Sequence, residues 1–470
     1  MTKKITVILL SLFIAGLSLR LYQPLSTGHI VGVDGYYHIH IADLYKQGIM
    51  PLSSYPPGIH ITLFLFNFLT GIGMEFSAIL LSSFFSAIAV IAAFLLTKTE
   101  FGGKAGLYAA MFVSLSSAMI VYGSRVKNLN FVLPILLFGL LLNAKNKTIP
   151  FIATFSILIL FSPFDACLLA IFSMLYNFLD SKTCRHKLMT TKFSLYVILL
   201  ISAVFIASFY VNGSIISLYF TKAIPEGMNE ILFYTPSASE LLTFLSPIML
   251  AFGIIGIFYS VKKRKFISLI ILLSILLIIF PLRIIETDRC YVYITAFLSI
   301  FSGYGLFKFM DFVGKTRFSI ITQATTIIII LMSSGFLISE GLKYNNWGIM
   351  NEKRYDMFSW LRYNTPQNSV VLGTITESNW ISGIGSRKPM ADSNLIAEPS
   401  LTQHFNDIYT IYTTENQSLR KELLNRYDIS YIIISDKTYW RFGDVRNNFN
   451  AMDFELVYRN EPYEIFRYKR

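Results

Sequence analysis

An acidic residue and two histidines follow the first apolar run of the chain, close to a pair of prolines. Residues 32–38 read GVDGYYH, and residues 55–60 read YPPGIH. A carboxylate such as that of Asp34, placed just beyond a membrane-spanning run, can hold a divalent cation against a lipid phosphate or accept a proton from a nucleophile. Asp is also a good helix cap, so Asp34 could instead only start the helix that follows. Capping alone leaves the histidines and the Pro-Pro turn without a role, and we therefore expect this segment to be functional.

The composition indicates that these residues belong to a membrane protein. Of the 470 residues, 54% are hydrophobic and 14% are charged, whereas soluble domains average about 25% charged residues. The net charge of +12 comes from basic residues in short loops between apolar runs, as the positive-inside rule describes. A nucleic-acid partner is therefore not expected. The three cysteines have neither metal-ligand spacing nor an even number for a disulfide framework.

The apolar runs predict a polytopic α-helical membrane protein with about eleven transmembrane helices, since a span takes roughly 17–25 residues. The first run lacks a cleavage site and is interpreted as a retained helix rather than a signal peptide. One shorter run, 58–70, is predicted to lie in the outer interface, because counting it as a span would place the basic loops outside. The predicted spans are 5–22, 76–97, 105–122, 129–143, 150–163, 166–180, 193–211, 240–260, 266–281, 290–308 and 318–338.

The same count divides the chain into a membrane domain, 1–340, and an extracytoplasmic domain, 341–470. The membrane domain carries the external loops 23–75 and 212–239, and the chain is expected in the plasma membrane of a prokaryote or in the endoplasmic reticulum. The C-terminal domain is predicted to be a soluble α/β domain, with strands near 369–372 and 431–434 and a final hairpin. Two basic residues, Arg125 and Lys127, fall on the outside and are exceptions to the positive-inside rule.

In this setting the Asp34 segment resembles the GT-C superfamily of membrane glycosyltransferases, and most of all the catalytic subunit of oligosaccharyltransferase. The family transfers sugars from polyprenyl-phosphate-linked donors on the outer face of the membrane. The likeness extends in patches over most of the chain. Its further motifs are KTEFGGKAG at 98–106, SASE at 237–240, Arg289 at the start of a late helix, WLRYNTP at 360–366, NWI at 379–381 and RKPMAD at 387–392.

The resemblance implies roles for particular residues. Asp34 and Glu240 would be catalytic and would hold a divalent cation, Mg²⁺ or Mn²⁺, with Glu240 near the acceptor. Arg289, His60 and Tyr55 would lie near the donor phosphate. Each has a simpler alternative, because Ser-x-Ser-Glu before an apolar run is also a helix cap and an arginine among acids is also an interfacial charge cluster.

Two family motifs are altered in this chain. Where the family has a second metal-ligand pair, Asp-x-Asp, this sequence has Asn128-Leu129-Asn130. Asparagine oxygens can ligate a hard cation without bringing charge, so Asn128 and Asn130 are expected to be weaker ligands. The Trp-Trp-Asp-Tyr-Gly motif, which recognises an acceptor hydroxyl in the family, is replaced by TITES at 374–378.

Two functions are therefore weighed. The first is a glycosyltransferase that moves a sugar or oligosaccharide from a polyprenyl-phosphate-linked donor to a protein or glycan acceptor. The second is a non-catalytic relative that binds a lipid-linked glycan or a partner protein, which the altered motifs favour. A transporter would need ionisable residues at mid-bilayer, and the spans contain almost none, Asp165 and Arg283 lying near predicted ends.

Overall fold

A computed structural model describes the chain at residues 3–49, 56–179, 195–204, 206, 237–280, 287–345, 348–391, 401–449 and 452–469. Most of these residues are helical, and one five-stranded sheet lies near the C-terminus.

Fifteen helices precede residue 344 in the described part of the chain. They are α1 (Lys3–Thr27), α2 (Asp34–Lys46), α3 (Gly58–Thr70), α4 (Met74–Phe101), α5 (Gly103–Leu115), α6 (Ser117–Gly123), α7 (Asn128–Ala144), α8 (Thr148–Phe161), α9 (Pro163–Leu179), α10 (Leu195–Val204), α11 (Ala238–Leu245), α12 (Pro247–Lys263), α13 (Ile267–Ile279), α14 (Thr287–Val313) and α15 (Ser319–Lys343).

These helices lie along the predicted spans, two of which, 105–122 and 240–260, are each broken into two helices, and the chain is a polytopic helical membrane protein. Four of them, α1, α4, α14 and α15, are long and apolar enough to cross a membrane. Two pairs, α5–α6 and α11–α12, would each form one span bent by 54° and 65°. Six more apolar helices, α3 among them, are only 10–17 residues long. The count of eleven spans, and the interfacial position of α3, therefore remain predictions.

Helix α14 lies at the centre of the membrane domain. In its most apolar stretch of 18 residues, 94% of the residues are buried, and the helix packs against α4, α5, α12 and α13. Glycines allow α12 and α14 to approach closely: a Cβ on Gly256 would lie 1.9 Å from the carbonyl oxygen of Phe301, and one on Gly305 would lie 1.9 Å from that of Phe252. Small residues have this role in membrane helix packing generally. Helices α1 and α15 are mostly unburied and form the periphery.

Contacts between loops group the two ends of the membrane domain. At one end, Val31 forms isolated β-bridges with Arg125 and with Ile349, so the segment before α2, the turn before α7 and the start of the C-terminal domain meet. At the other end, Lys265 lies 3.6 Å from Glu100, and the side chain of Ile5 is so close to Gly103 that a Cβ added there would contact it. The basic-loop count predicts this same grouping. Which end faces the cytoplasm stays a prediction.

The C-terminal domain is α/β, as predicted. Its elements are α16 (Glu352–Asn364), β1 (Val370–Leu372), α17 (Ser378–Gly383), β2 (Lys388–Pro389), α18 (Leu401–Thr413), α19 (Gln417–Arg426), β3 (Ile429–Ile434), α20 (Asp436–Phe442), β4 (Phe454–Asn460) and β5 (Tyr463–Tyr468). Strand β1 pairs in parallel with β2 and β3, and β5 pairs antiparallel with β3 and β4, giving the order β2-β1-β3-β5-β4.

The C-terminal domain rests on the segment that carries Asp34. Helix α17 packs against α2, so closely that a Cβ on Gly383 would lie 2.6 Å from the carbonyl oxygen of Tyr36. On α16, the ring of Tyr355 stacks on His29 with 4.4 Å between centroids. Glu75, at the start of α4, accepts hydrogen bonds from the Tyr36 hydroxyl at 2.9 Å and the Ile30 N–H at 3.1 Å. These contacts fix the start of α2 between the two domains.

Candidate functional site

Asp34 is the first residue of α2, and its carboxylate does not cap the helix. The residue before the helix is Val33, which makes no side-chain capping bond. The Asp34 side chain is 50% exposed, at the end of the membrane domain where the C-terminal domain begins. The carboxylate is therefore accessible from solvent at this end of the molecule.

A network of charged and polar groups extends from this carboxylate. The ammonium of Lys127 lies 3.4 Å from Asp34 Oδ2 and 2.6 Å from Asp288 Oδ2. Arg125 Nη1 lies 3.1 Å from the same Asp288 oxygen, and Arg125 Nε donates to Asn345 Oδ1 at 2.7 Å. The network joins α2, the turn before α7, α14 and the end of α15. Sequence reasoning did not assign Lys127 or Asp288 to the site, although Lys127 stood out as a basic residue in an external turn.

The two histidines form a buried pair between α2 and α3. His38 Nδ1 and His60 Nε2 are 3.0 Å apart, and the rings of Tyr37 and Tyr45 lie within 6.2 Å of the His60 ring. Burial, and after it the nearby charge of Lys127, together lower the pKa of His38 to about 3, so His38 is neutral at pH 7. His60 is fully buried, and its Nδ1 has no hydrogen-bond partner among the described residues. Its predicted contact with the donor phosphate remains a prediction, and Tyr55 lies outside the described residues.

Asn128 and Asn130 are both buried at the start of α7. Asn130 Nδ2 donates to Ser82 Oγ at 2.8 Å and to the carbonyl oxygens of Tyr122 and Arg125 at 3.2 and 2.6 Å. It thereby holds the turn that presents Arg125 and Lys127. Asn128 Nδ2 donates to the carbonyl oxygen of Phe161, and its Oδ1 has no hydrogen-bond partner in the described part of the chain. The amide of Asn130 is thus used to shape the turn.

Glu240 is buried in the first turn of α11. The Ser237 hydroxyl accepts a hydrogen bond from the Glu240 N–H at 3.2 Å, so the predicted alternative, a helix cap, is present. Helix α11 packs on α6, α14 and α15, whereas α2 packs on α3, α4 and α17. The two predicted carboxylates are therefore on helices whose main packing partners differ. Helix α14 links them, since Asp288 contacts Lys127 and Tyr291 interacts electrostatically with Glu240.

Arg289 is paired with an acidic residue that was not assigned a role from the sequence. Arg289 Nη1 lies 3.0 Å from Asp165 Oδ2, and the Tyr293 hydroxyl donates to the other oxygen of Asp165. The Asp165 side chain is 0% exposed and that of Arg289 is 18% exposed. Asp165 therefore positions the guanidinium of this partly exposed side chain.

The segment that replaces the acceptor-hydroxyl motif has a structural role. Thr374 and Glu377 form a capping box on a short 3₁₀ helix, and the Glu377 carboxylate accepts bonds from the Thr374 N–H at 2.8 Å, the Thr374 hydroxyl at 2.7 Å and the Ser435 hydroxyl. Glu377 is fully buried, and burial raises its pKa. This carboxylate fixes the connection after β1 to the end of β3.

Two of the predicted metal ligands are engaged by protein groups in this arrangement. An ammonium lies against Asp34, and the Asn130 amide is used by the turn. Within the described ranges, no three His, Cys, Asp or Glu side chains are grouped so as to hold a metal ion. Hard cations such as Mg²⁺ require several oxygen ligands around one point.

Known proteins resemble this chain in structure rather than in sequence. No family model and no curated protein sequence matches it. The oligosaccharyltransferase AglB from Archaeoglobus fulgidus, in complex with an inhibitory peptide and a dolichol-phosphate, is 14% identical at a TM-score of 0.68, over 100% of this chain and 74% of its own. The A. fulgidus enzyme in complex with Zn and sulfate is 16% identical at 0.65, over 91% and 67%.

Another solved structure aligns with this chain over almost the full length of both proteins. ArnT from Cupriavidus metallidurans, bound to undecaprenyl phosphate, is 11% identical at a TM-score of 0.56, over 98% of this chain and 97% of its own. AglB and ArnT are both GT-C glycosyltransferases. At such low identity the likeness concerns the fold. This chain is an integral membrane protein with the GT-C fold of the oligosaccharyltransferases and of ArnT.

Proposed function

We propose that the chain is a membrane glycosyltransferase that moves a sugar or oligosaccharide from a polyprenyl-phosphate-linked donor to an acceptor on the extracytoplasmic face. The observation that carries this proposal is the half-exposed carboxylate of Asp34, which lies where the two domains meet and contacts Lys127, itself paired with Asp288 beside Arg125. Such a carboxylate can accept a proton from an acceptor nucleophile, and the cations beside it favour a phosphate.

The proposed donor follows from the fold and the charges together. Two solved structures of this fold contain a lipid phosphate, dolichol-phosphate in AglB and undecaprenyl phosphate in ArnT. In this chain Arg289 is partly exposed, is held by Asp165 and follows Asp288 of the charge network directly in sequence, and we propose that it binds the donor phosphate. The acceptor can be a protein asparagine, as the sequence resemblance implies, or a glycan, a lipid or a cell-wall precursor.

The test is transfer from a polyprenyl-phosphate-linked fluorescent sugar in membranes that contain each variant. Asp34→Asn should abolish transfer and leave the protein folded, because the amide cannot accept the proton. The matched control is Asp311→Asn: Asp311 is 53% exposed and pairs with Lys315 at 3.9 Å at the other end of the molecule, and its loss should leave transfer unchanged. Full activity in Asp34→Asn would mean that the catalytic carboxylate lies elsewhere.

A second candidate is a non-catalytic relative that binds a lipid-linked glycan or a partner protein. It is favoured by Glu377, which occupies the altered acceptor motif as a fully buried capping residue. This candidate predicts that the wild-type protein binds undecaprenyl phosphate and transfers no sugar from any donor. The same membranes therefore distinguish the two functions, when binding and transfer are measured side by side.

A further inference from the structure

We propose that the ammonium of Lys127 takes the place of a divalent cation at Asp34, so that this protein handles its lipid phosphate without a metal ion. The inference rests on the proposed function, which it deepens. Lys127 lies next in sequence to Asn128, at the start of the motif where the resemblance leads one to expect charged metal ligands.

The geometry places the ammonium where it bridges two carboxylates. Its distances are 3.4 Å to Asp34 Oδ2 and 2.6 Å to Asp288 Oδ2, and these residues come from different helices, α2 and α14. A divalent cation in an oxygen site also joins carboxylates from separate elements. The Lys127 side chain is 22% exposed, so it is mostly covered by the protein.

The charges around Asp34 are already balanced by protein groups. Asp34 and Asp288 carry two negative charges, and Lys127 and Arg125 carry two positive charges. Lys127 lies within 3.4 Å of both carboxylates, and Arg125 lies 3.1 Å from that of Asp288. A metal ion added here would meet an ammonium beside the carboxylate that it needs. A phosphate, by contrast, would meet the positive charge of the Lys127 ammonium, which lies between the carboxylates of Asp34 and Asp288.

The turn that holds Lys127 is built to keep it in this position. Asn130 donates to the carbonyl oxygens of Tyr122 and Arg125, and Ser82 Oγ also donates to Arg125 O, at 2.9 Å. These hydrogen bonds to backbone carbonyl oxygens fix the segment just before Lys127. An aspartate at position 130 could not make these donations, because a carboxylate has no N–H. The loss of the acidic pair and the placing of the lysine are thus parts of one arrangement.

The lysine suits the chemistry of transfer. The acceptor nucleophile forms a bond to C1 of the sugar while the bond from C1 to the phosphate oxygen breaks, and that oxygen keeps the electron pair. The proton of the nucleophile passes to Asp34. As Asp34 becomes neutral, the Lys127 ammonium loses one of its two anionic partners at the moment when the departing polyprenyl phosphate gains negative charge. Positive charge placed where negative charge develops is a strong source of catalysis.

The experiment combines transfer, lipid binding and metal binding on the purified full-length chain. Transfer from a polyprenyl-phosphate-linked fluorescent sugar is measured in EDTA and in Mn²⁺, for wild type, Lys127→Ala, Lys127→Arg and the control Lys343→Ala. Lys343 also pairs with a carboxylate, that of Glu340, at 2.6 Å, on the exposed surface of α15. Binding of undecaprenyl phosphate is followed by native mass spectrometry, and binding of Mn²⁺ by the loss of its free electron paramagnetic resonance signal.

We expect wild-type transfer rates in EDTA and in Mn²⁺ to agree within about twofold. Lys127→Ala should lower the rate by about 10²–10³-fold, the usual effect of removing one charge-stabilising donor, and Mn²⁺ should not restore it. Lys127→Arg should keep about a tenth of the activity, since it retains the charge in a different shape. Lys343→Ala should match wild type, and wild type should leave the Mn²⁺ signal unchanged.

Two results would overturn the inference: transfer that EDTA abolishes and Mn²⁺ restores, or tight binding of one Mn²⁺ by the wild type. If no donor is turned over under any condition, the transfer function fails, and lipid binding then decides the role of Lys127. Undecaprenyl phosphate bound in EDTA by wild type but not by Lys127→Ala supports that role. Binding that needs Mn²⁺, or that survives Lys127→Ala, contradicts it.

Discussion

The pair formed by Arg289 and Asp165 allows a structural role to be separated from a role in donor binding. Asp165 is 0% exposed and lies 3.0 Å from the guanidinium. Arg289→Met leaves this buried carboxylate without its cation, which typically costs about 3–5 kcal/mol. Asp165→Asn removes the carboxylate charge beside the partly exposed arginine and loses charged hydrogen bonds of about 1.5–3 kcal/mol. The double variant Asp165→Asn/Arg289→Met removes both charges and should recover most of the lost stability.

The measurement is the fraction of protein that remains monodisperse on size exclusion after heating in detergent. At roughly 2 °C per kcal/mol for a large domain, Arg289→Met should lower the midpoint by about 5–10 °C, and the double variant should bring it back to within a few degrees of wild type. All four tryptophans, at positions 347, 360, 380 and 440, lie in the C-terminal part of the chain. Tryptophan fluorescence therefore reports on that domain and should not shift.

Binding of undecaprenyl phosphate is then compared in the same variants. If Arg289 binds the donor phosphate, the double variant will be stable and still bind this lipid at least about 10-fold more weakly, because a charged hydrogen bond is lost. Recovery of lipid binding together with stability would refute a role in donor binding. Additive losses of stability in the double variant would refute the coupling between the two residues.

Two further predictions concern the C-terminal domain and the topology. Burial lowers the pKa of Lys437 to about 8; because this is below the unfolded value, its contribution to stability is present above about pH 10.4 and is lost as the pH falls through about 8. Lys437→Met should therefore raise the tryptophan-fluorescence midpoint at pH 7 and not near pH 10, and an equal gain at both would contradict the reasoning. Single cysteines at the exposed positions Lys263 and Tyr363 should be labelled from opposite sides of the membrane, the latter from outside. The labelling uses a variant that lacks Cys167, Cys184 and Cys290. Labelling of both positions from one side would contradict the predicted topology.

Local signals in the sequence were sufficient for most of the secondary structure. The run 58–70 is a helix with those bounds, because Pro57 precedes it and Gly71 ends it in the left-handed conformation at φ 68°. The strands β1 and β3 and the final hairpin also fall where β-branched and aromatic runs predicted them. Each of these elements is specified by residues within its own segment.

Breaks inside apolar runs were missed. The predicted span 105–122 is two helices with a break at Ser116, whose hydroxyl accepts a bond from the Met119 N–H at 3.4 Å. The predicted span 240–260 breaks at Ser246, before Pro247. Hydropathy is the same on both sides of such a break, so it gives no sign. Pro247 inside an apolar run was the available signal, since proline cannot continue a hydrogen-bonded helix.

The site was predictable only where its residues are close in sequence. Asp34 is predicted from its own segment, whereas its contact with Lys127 joins residues far apart in the chain, and Asp288 is further still. Such pairings depend on how α2, α7 and α14 pack, which no local pattern encodes. Arg289 was named, but its partner Asp165 comes from the start of α9 and had been noted only as a charge near the end of a span.

One sequence feature did mark the site, although its meaning needed the structure. Arg125 and Lys127 are basic residues in a short turn assigned to the outside, where the positive-inside rule disfavours them. Both are paired with Asp288, and Lys127 also with Asp34, so the folded end of the domain carries no excess of positive charge from them. A cation retained in an external turn against that bias, and neutralised by acids from other helices, is more than a solvated surface residue. In a GT-C fold, such a basic residue is therefore a candidate phosphate ligand even before its acidic partners are known.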